Sequence, residues 1–133
     1  MKKAALFIAV SAALFAAPAV QAKPRLTPEQ RLDKILAGRV AGKPVSCISN
    51  FDSRDVQVID KTAIVYDSGS VIYVNRTSNP KSLRSDDIMV TKLWGNQLCR
   101  LDTVHMHERS GGFWNGFVGL EDFVPYRKAP KEG

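Results

Sequence analysis

Two histidines, two cysteines and a late cluster of aromatic rings are the side chains of this 133-residue sequence whose types and spacing could do chemistry. His105 and His107 stand two apart, and in an extended strand such residues share one face, roughly 7 Å from each other. Two imidazoles so placed could share a zinc ion, but zinc takes at least three protein ligands. Asp102 and Glu108 have the wrong parity to join them, and the arm at 113–118 offers Asn115 but no carboxylate. The pair reads first as two half-exposed histidines near a hairpin end. A small metal-dependent enzyme built on His105 and His107 is the alternative.

Other catalytic patterns are weaker. There is no Gly-x-Ser-x-Gly elbow for a serine nucleophile, and the glycines are scattered through turns and form no phosphate loop. Asp86-Asp87 and Glu121-Asp122 are adjacent acids at a strand start and in a loop. Such pairs read as solvated turn residues, not as the separated carboxylates of a glycosidase. The balance lies against an enzyme, and no cofactor is expected.

The aromatic set says more. Trp94, Phe113, Trp114, Phe117, Phe123 and Tyr126 crowd into the last third of the chain. Adjacent Phe113 and Trp114 point to opposite faces of a regular strand, so one ring stays partly outside. Trp94, Phe113 and Trp114 are therefore the candidate ligand-binding residues; a bare indole beside Asn115 could stack on a sugar or dock a partner. The plainer reading has the second tryptophan packed beneath a docked helix.

The elements that must position these groups begin with an export signal. Met1-Lys2-Lys3 is followed by an apolar run from Ala4 to Ala17, then Pro18 and the small residues of Val20-Gln21-Ala22. A basic start, a short apolar core and a small-residue site make a secretory signal over 1–22, with cleavage after Ala22. The run is too short for the roughly 20 residues a membrane span needs, so no transmembrane anchor is expected. Lys23 in place of Cys excludes lipid attachment at the new terminus. A periplasmic or secreted protein follows, and in an oxidising compartment Cys47 and Cys99 pair with each other. Closing so long a loop contributes roughly 4 kcal/mol on chain-entropy arithmetic. The redox alternative lacks the usual Cys-x-x-Cys spacing.

Past a disordered arm at 23–26, Thr27-Pro28-Glu29-Gln30 signals a helix start: a capping threonine, proline at the first position and a glutamine placed to close a capping box. Leu32, Ile35 and Leu36 form its apolar stripe, and Gly38 ends it. From Val45 the period shortens to two. Strands are expected at 55–60, 62–66, 71–76, 88–94, 97–107 and 113–118, with Gly95-Asn96 as a two-residue hairpin loop. A last piece, 123–126, belongs at an edge because Pro125 has no N–H to donate. The polar stretch from Thr77 to Ser85 is expected to run over the surface. Six to seven antiparallel strands with one short N-terminal helix make a mainly β protein, a small barrel or sandwich, occupying 27–126 as one domain ahead of a disordered tail at 127–133.

Charge narrows the partner. Without Lys2 and Lys3, 17 basic residues face 13 acidic ones, yet 44–126 holds eight basic against ten acidic. The basic excess sits at the ends, whereas a nucleic-acid binder gathers it on the face of its body. No nucleic-acid partner is expected.

Leu36-Ala37-Gly38-Arg39, Val45-Ser46-Cys47-Ile48, Val58-Ile59-Asp60 with Ala63-Ile64-Val65-Tyr66, Tyr73-Val74-Asn75-Arg76, Gln97-Leu98-Cys99-Arg100 and Phe123-Val124-Pro125-Tyr126 follow one another in an order that resembles a family of small exported bacterial proteins of unknown function, each with a single Cys pair. The resemblance implies export, the bridge and a β-rich body, and brings no catalytic residue. The expected protein is a monomeric, non-catalytic envelope protein that binds a protein or glycan or serves the envelope structurally. One concrete version is an inhibitor of a secreted hydrolase, by analogy of fold alone.

Overall fold

A computed structural model describes residues 20–50 and 53–132. The basic start and apolar run of the expected signal lie outside the described residues. Residues 20–27 are exposed and form no regular element.

Helix α1 (Pro28–Ile35) begins as its sequence predicts. The Thr27 hydroxyl accepts from the Gln30 N–H at 3.2 Å, and the Gln30 side chain accepts from the Thr27 N–H at 2.9 Å. Gly38, at φ +72°, turns the chain out of the helix, a conformation that glycine adopts without a Cβ penalty. Eight residues cannot hold a helix alone, and Leu32, 1% exposed, supplies the anchor.

Among the described residues ten strands follow, in three antiparallel sheets: β1 (Arg39–Ala41), β2 (Cys47–Ser49), β3 (Asp55–Ile59), β4 (Ala63–Asp67), β5 (Val71–Asn75), β6 (Ile88–Thr91), β7 (Gln97–Cys99), β8 (Thr103–His107), β9 (Trp114–Gly119) and β10 (Phe123–Lys128). The large sheet has the order β1-β10-β5-β4-β3, a second is β6-β8-β9, and β2 pairs only with β7. The sheets do not close into a barrel. They stack as a sandwich, which is the second of the two expected forms, with more and shorter strands than the alternation predicts.

Strand β4 shows why. Its residues are buried on both sides, Ala63 and Val65 facing one way and Ile64 and Tyr66 the other. The first face, with Ile59, Ile72 and Val74, lies under Leu32, Ile35 and Leu36 of the helix segment. The second joins Val104, Met106, Val118, Leu120 and Phe123 in the core between the sheets. A strand covered on both faces reads as a continuous apolar run. Fully buried Asn75 ties the end of β5 to the turn between β9 and β10: its amide donates to the Glu121 carbonyl (2.6 Å), and its oxygen accepts from the Thr77 and Glu121 N–H groups (both 3.0 Å).

Four expectations are corrected. Gly95-Asn96 does not close a hairpin, because β6 pairs with β8 while β7 pairs with β2. The predicted strand 97–107 is broken at Leu101 (φ +74°), where Asp102 folds back to accept the Cys99 N–H at 2.7 Å. The stretch 77–85 does not simply cross the surface, since Leu83 is wholly buried after a 3-10 turn at Pro80–Ser82. Strand β10 lies inside the large sheet, not at its edge, and it runs through Lys128, two residues into the expected tail. Pro125 is tolerated there because β1 leaves register beside it. Ala41 pairs with Tyr126 and Val45 bridges to Phe123, so an extra residue bulges out opposite the missing N–H.

Candidate functional site

Cys47 and Cys99 face each other across β2 and β7 and form a disulfide, with Cα atoms 4.0 Å apart and a sequence separation of 52. The Arg100 N–H donates to the Ser46 carbonyl one step away, which leaves the cysteines at the non-hydrogen-bonded position of the ladder, where side chains approach most closely. The bridge joins a segment between β1 and β3 of the large sheet to one between β6 and β8 of the three-stranded sheet. Both sulfurs are consumed by it.

The β6-β8-β9 sheet carries the candidate site. On its inner face Val104, Met106 and Val118 belong to the core. Register decides the outer face: Ile88 pairs with His107 and His107 with Trp114, while Val90 pairs with His105 and His105 with Phe117. Paired residues share a face. The outer surface is therefore two rows of three, Ile88–His107–Trp114 and Val90–His105–Phe117. Its apolar members are open to solvent: Ile88 at 42%, Val90 at 49%, Phe117 at 55% and Trp114 at 60%.

A β-bulge makes this face possible. Trp114 and Phe117 are three apart, and in a regular strand they would point to opposite sides. The register shifts between His105 and His107, so that Asn115 and Gly116 together oppose Met106. Gly116 takes φ +112° there, in the region that glycine alone enters freely. Both rings consequently project outward, their planes 24° apart and their centroids separated by 6.5 Å. That spacing exceeds face-to-face contact and marks an offset pair with much ring surface left uncovered.

The two histidines are wired differently. Trp114 Nε1–H donates to His105 Nδ1 at 3.2 Å, and His107 Nδ1 lies 3.0 Å from the Gly112 carbonyl. An indole N–H only donates and a carbonyl only accepts. In its neutral form His105 must therefore carry its proton on Nε2, and His107 on Nδ1. One imidazole offers a donor and the other an acceptor, side by side. Among the described residues no three His, Cys, Asp or Glu side chains gather as a metal site would need, so the histidine pair gains no third ligand.

At the Ile88–His107–Trp114 end the face borders a groove of about 400 Å³ lined by Arg84, Asp86, Asp87, Glu108, Arg109 and Ser110. Asp87 is not the solvated turn residue its neighbourhood suggests. It is 8% exposed and accepts from the Asn115 amide at 2.9 Å, tying the groove wall to the bulge. Arg109 Nε donates to the Asp86 carbonyl at 3.3 Å.

Of the expected ligand-binding residues, Trp114 lies in the face and Phe113, 72% exposed, stands at its rim. Both rings stay outside, because Phe113 precedes the strand and never takes up the alternation. Trp114 is not beneath the helix, which covers the other sheet. Trp94 sits apart, past the opposite end of β6 at 82% exposure, with Lys92 Nζ 5.0 Å from its ring centroid. Phe117, Ile88 and Val90 are members that alternation alone does not select, since only the pairing register and the bulge place them. Compared with known protein families, curated proteins and solved structures, the chain matches none. Of what the family resemblance implies, the single Cys47–Cys99 bridge and the mainly β body are observed.

Proposed function

We propose that the protein is an exported, non-catalytic binding protein of the bacterial envelope, acting as a monomer through the outer face of the β6-β8-β9 sheet. The observation that carries this reading is the set of four large apolar side chains, Ile88, Val90, Trp114 and Phe117, open to solvent on one sheet face. Large apolar side chains exposed together on one face mark a binding site on a soluble protein. Export is supported by the signal-like N-terminus and by a disulfide that requires an oxidising compartment. Among the described residues no helix is long and apolar enough to cross a membrane. A non-catalytic role is supported by the spent thiols, which leave no nucleophilic sulfur among the described residues. Inhibition of a secreted hydrolase is one version of this role, with the enzyme seated against the face.

The test is retention of envelope components on immobilised protein. The wild type should hold a protein or glycan that the Trp114→Ala/Phe117→Ala double variant releases. Equal retention by the two, or none by either, refutes the reading.

A further inference from the structure

We infer that the face and the groove beside it form one carbohydrate site, which takes a neutral hexopyranose chain with one sugar seated in the groove and the next across Trp114 and Phe117. The inference rests on the binding reading above and narrows it to one ligand chemistry. Three observations converge on it.

The first is the shape of the aromatic surface. Trp114 and Phe117 lie nearly parallel and offset along the strand. A pyranose ring presents a flat apolar C–H face that covers an exposed aromatic ring, and successive sugars repeat that face along a chain. The second is the polar pattern between the rings. His105 Nε2–H donates outward and His107 Nε2 accepts, as their partners dictate. Hydroxyl groups both donate and accept, so a polyol satisfies the two imidazoles together.

The third is the groove. Asp86, Asp87 and Glu108 provide acceptors, while Arg84, Arg109 and Ser110 provide donors. Planar carboxylates and guanidinium groups grip adjacent hydroxyls in two-point fashion. Its volume of about 400 Å³ sits at the lower end of the roughly 300–1,000 Å³ of small-ligand sites. Three acids against two arginines leave the lining with no positive excess, and no charged side chain stands in the two rows of the face. An anionic sugar or a phosphate ester would meet a lining in which acids outnumber arginines.

The experiment is calorimetric and NMR titration of the oxidised full-length protein with three neutral tetrasaccharides: chitotetraose, cellotetraose and maltotetraose. At least one should bind, shifting the Trp114 indole and His105 resonances, with an affinity unchanged between 50 and 500 mM salt. Trp114→Ala should weaken it at least tenfold, Trp114→Phe should restore most of it, and Glu108→Ala should weaken it severalfold. The unfolding midpoints of these variants should stay near that of the wild type. The inference is overturned if none of the three sugars moves those resonances at 10 mM. It is equally overturned if binding survives Trp114→Ala, or if affinity falls steeply with salt. If the face instead retains a protein that saturating sugar does not displace, the carbohydrate assignment fails while the broader binding reading stands.

Discussion

Two sheets of this protein turn an apolar face away from the central core, and they treat it in opposite ways. On the large sheet, Ile59, Ala63, Val65, Ile72 and Val74 lie under α1 and the turn after it, none more than 4% exposed. On the β6-β8-β9 sheet, Ile88, Val90, Phe117 and Trp114 stand 42–60% open. Size separates them as much as burial does. The covered face is aliphatic and small enough for a two-turn helix to seat Leu32 among β-branched neighbours. The bare face sets two large rings beside Ile88 and Val90, and an indole N–H and two imidazoles place polar groups among them. A face that only needed burying would have no use for such polar handles. The difference separates a face that the fold itself covers from one that it leaves open, and the open one is the face to which the proposed binding role is assigned.

Several measurements can break or sharpen that contrast. The largest effect is expected from Cys47→Ser/Cys99→Ser, which should cost about 4 kcal/mol in chemical unfolding. Because the bridge joins β2 to β7 between the two sheets, both should melt earlier in a single transition. Two separate transitions would mean that the covered and bare sheets are independent units. Next comes Leu32→Ala, which opens the helix-covered face and should cost about 2–5 kcal/mol by thermal or urea unfolding. A loss below ~1 kcal/mol would show that α1 is not what seals this face.

Gly116→Ala tests the bulge. A Cβ there meets no atom within 4 Å, so any cost comes from holding φ +112° alone, about 1–3 kcal/mol. Loss of the Trp114 indole shift without global unfolding would show that the bulge sets the bare face. Glu29→Gln probes the helix's outer tether, where Glu29 accepts from Arg76 at 2.7 Å. That hydrogen bond, reinforced by the Arg76 charge, lowers the Glu29 pKa from its ordinary 4.5. Its contribution is therefore present above that value and fades as pH falls through the lowered one. For so exposed a pair the loss should stay within about 1 kcal/mol, and should vanish in acid. The smallest effect belongs to Trp114→Ala/Phe117→Ala, expected within about 0.5 kcal/mol of wild type. A loss rivalling that of Leu32→Ala would mean the outer face is structural and would remove the basis for assigning it to a ligand.

Local chemistry was legible and distant pairing was not. The Thr27–Gln30 capping box forms as its residues predict, because both bonds close within four positions. Strands β3, β4 and β5 were readable from runs of β-branched residues joined by short turns. The strand through 97–107 was misread because its break depends on Asp102 capping Cys99 and on Leu101 N–H reaching the Leu120 carbonyl at 2.8 Å. Leu83 gave one apolar residue within a polar stretch, too little to announce that it would end wholly buried. At the site, the shared face of His105 and His107 was readable and Trp114 was left between an exposed and a packed position, while Phe117 and the role of Asp87 were not readable.

The chain by itself settled what neighbours in sequence can decide: a helix start, a β-rich body and two cysteines suited to one bridge. The tertiary structure alone decided which face each ring occupies. An extra residue at Asn115–Gly116 reverses the alternation that a regular strand would impose, and its place is set by pairing with β8. Side-chain direction along a strand has a period of two, so one inserted residue turns everything beyond it to the other side. Where that residue falls depends on the partner strand.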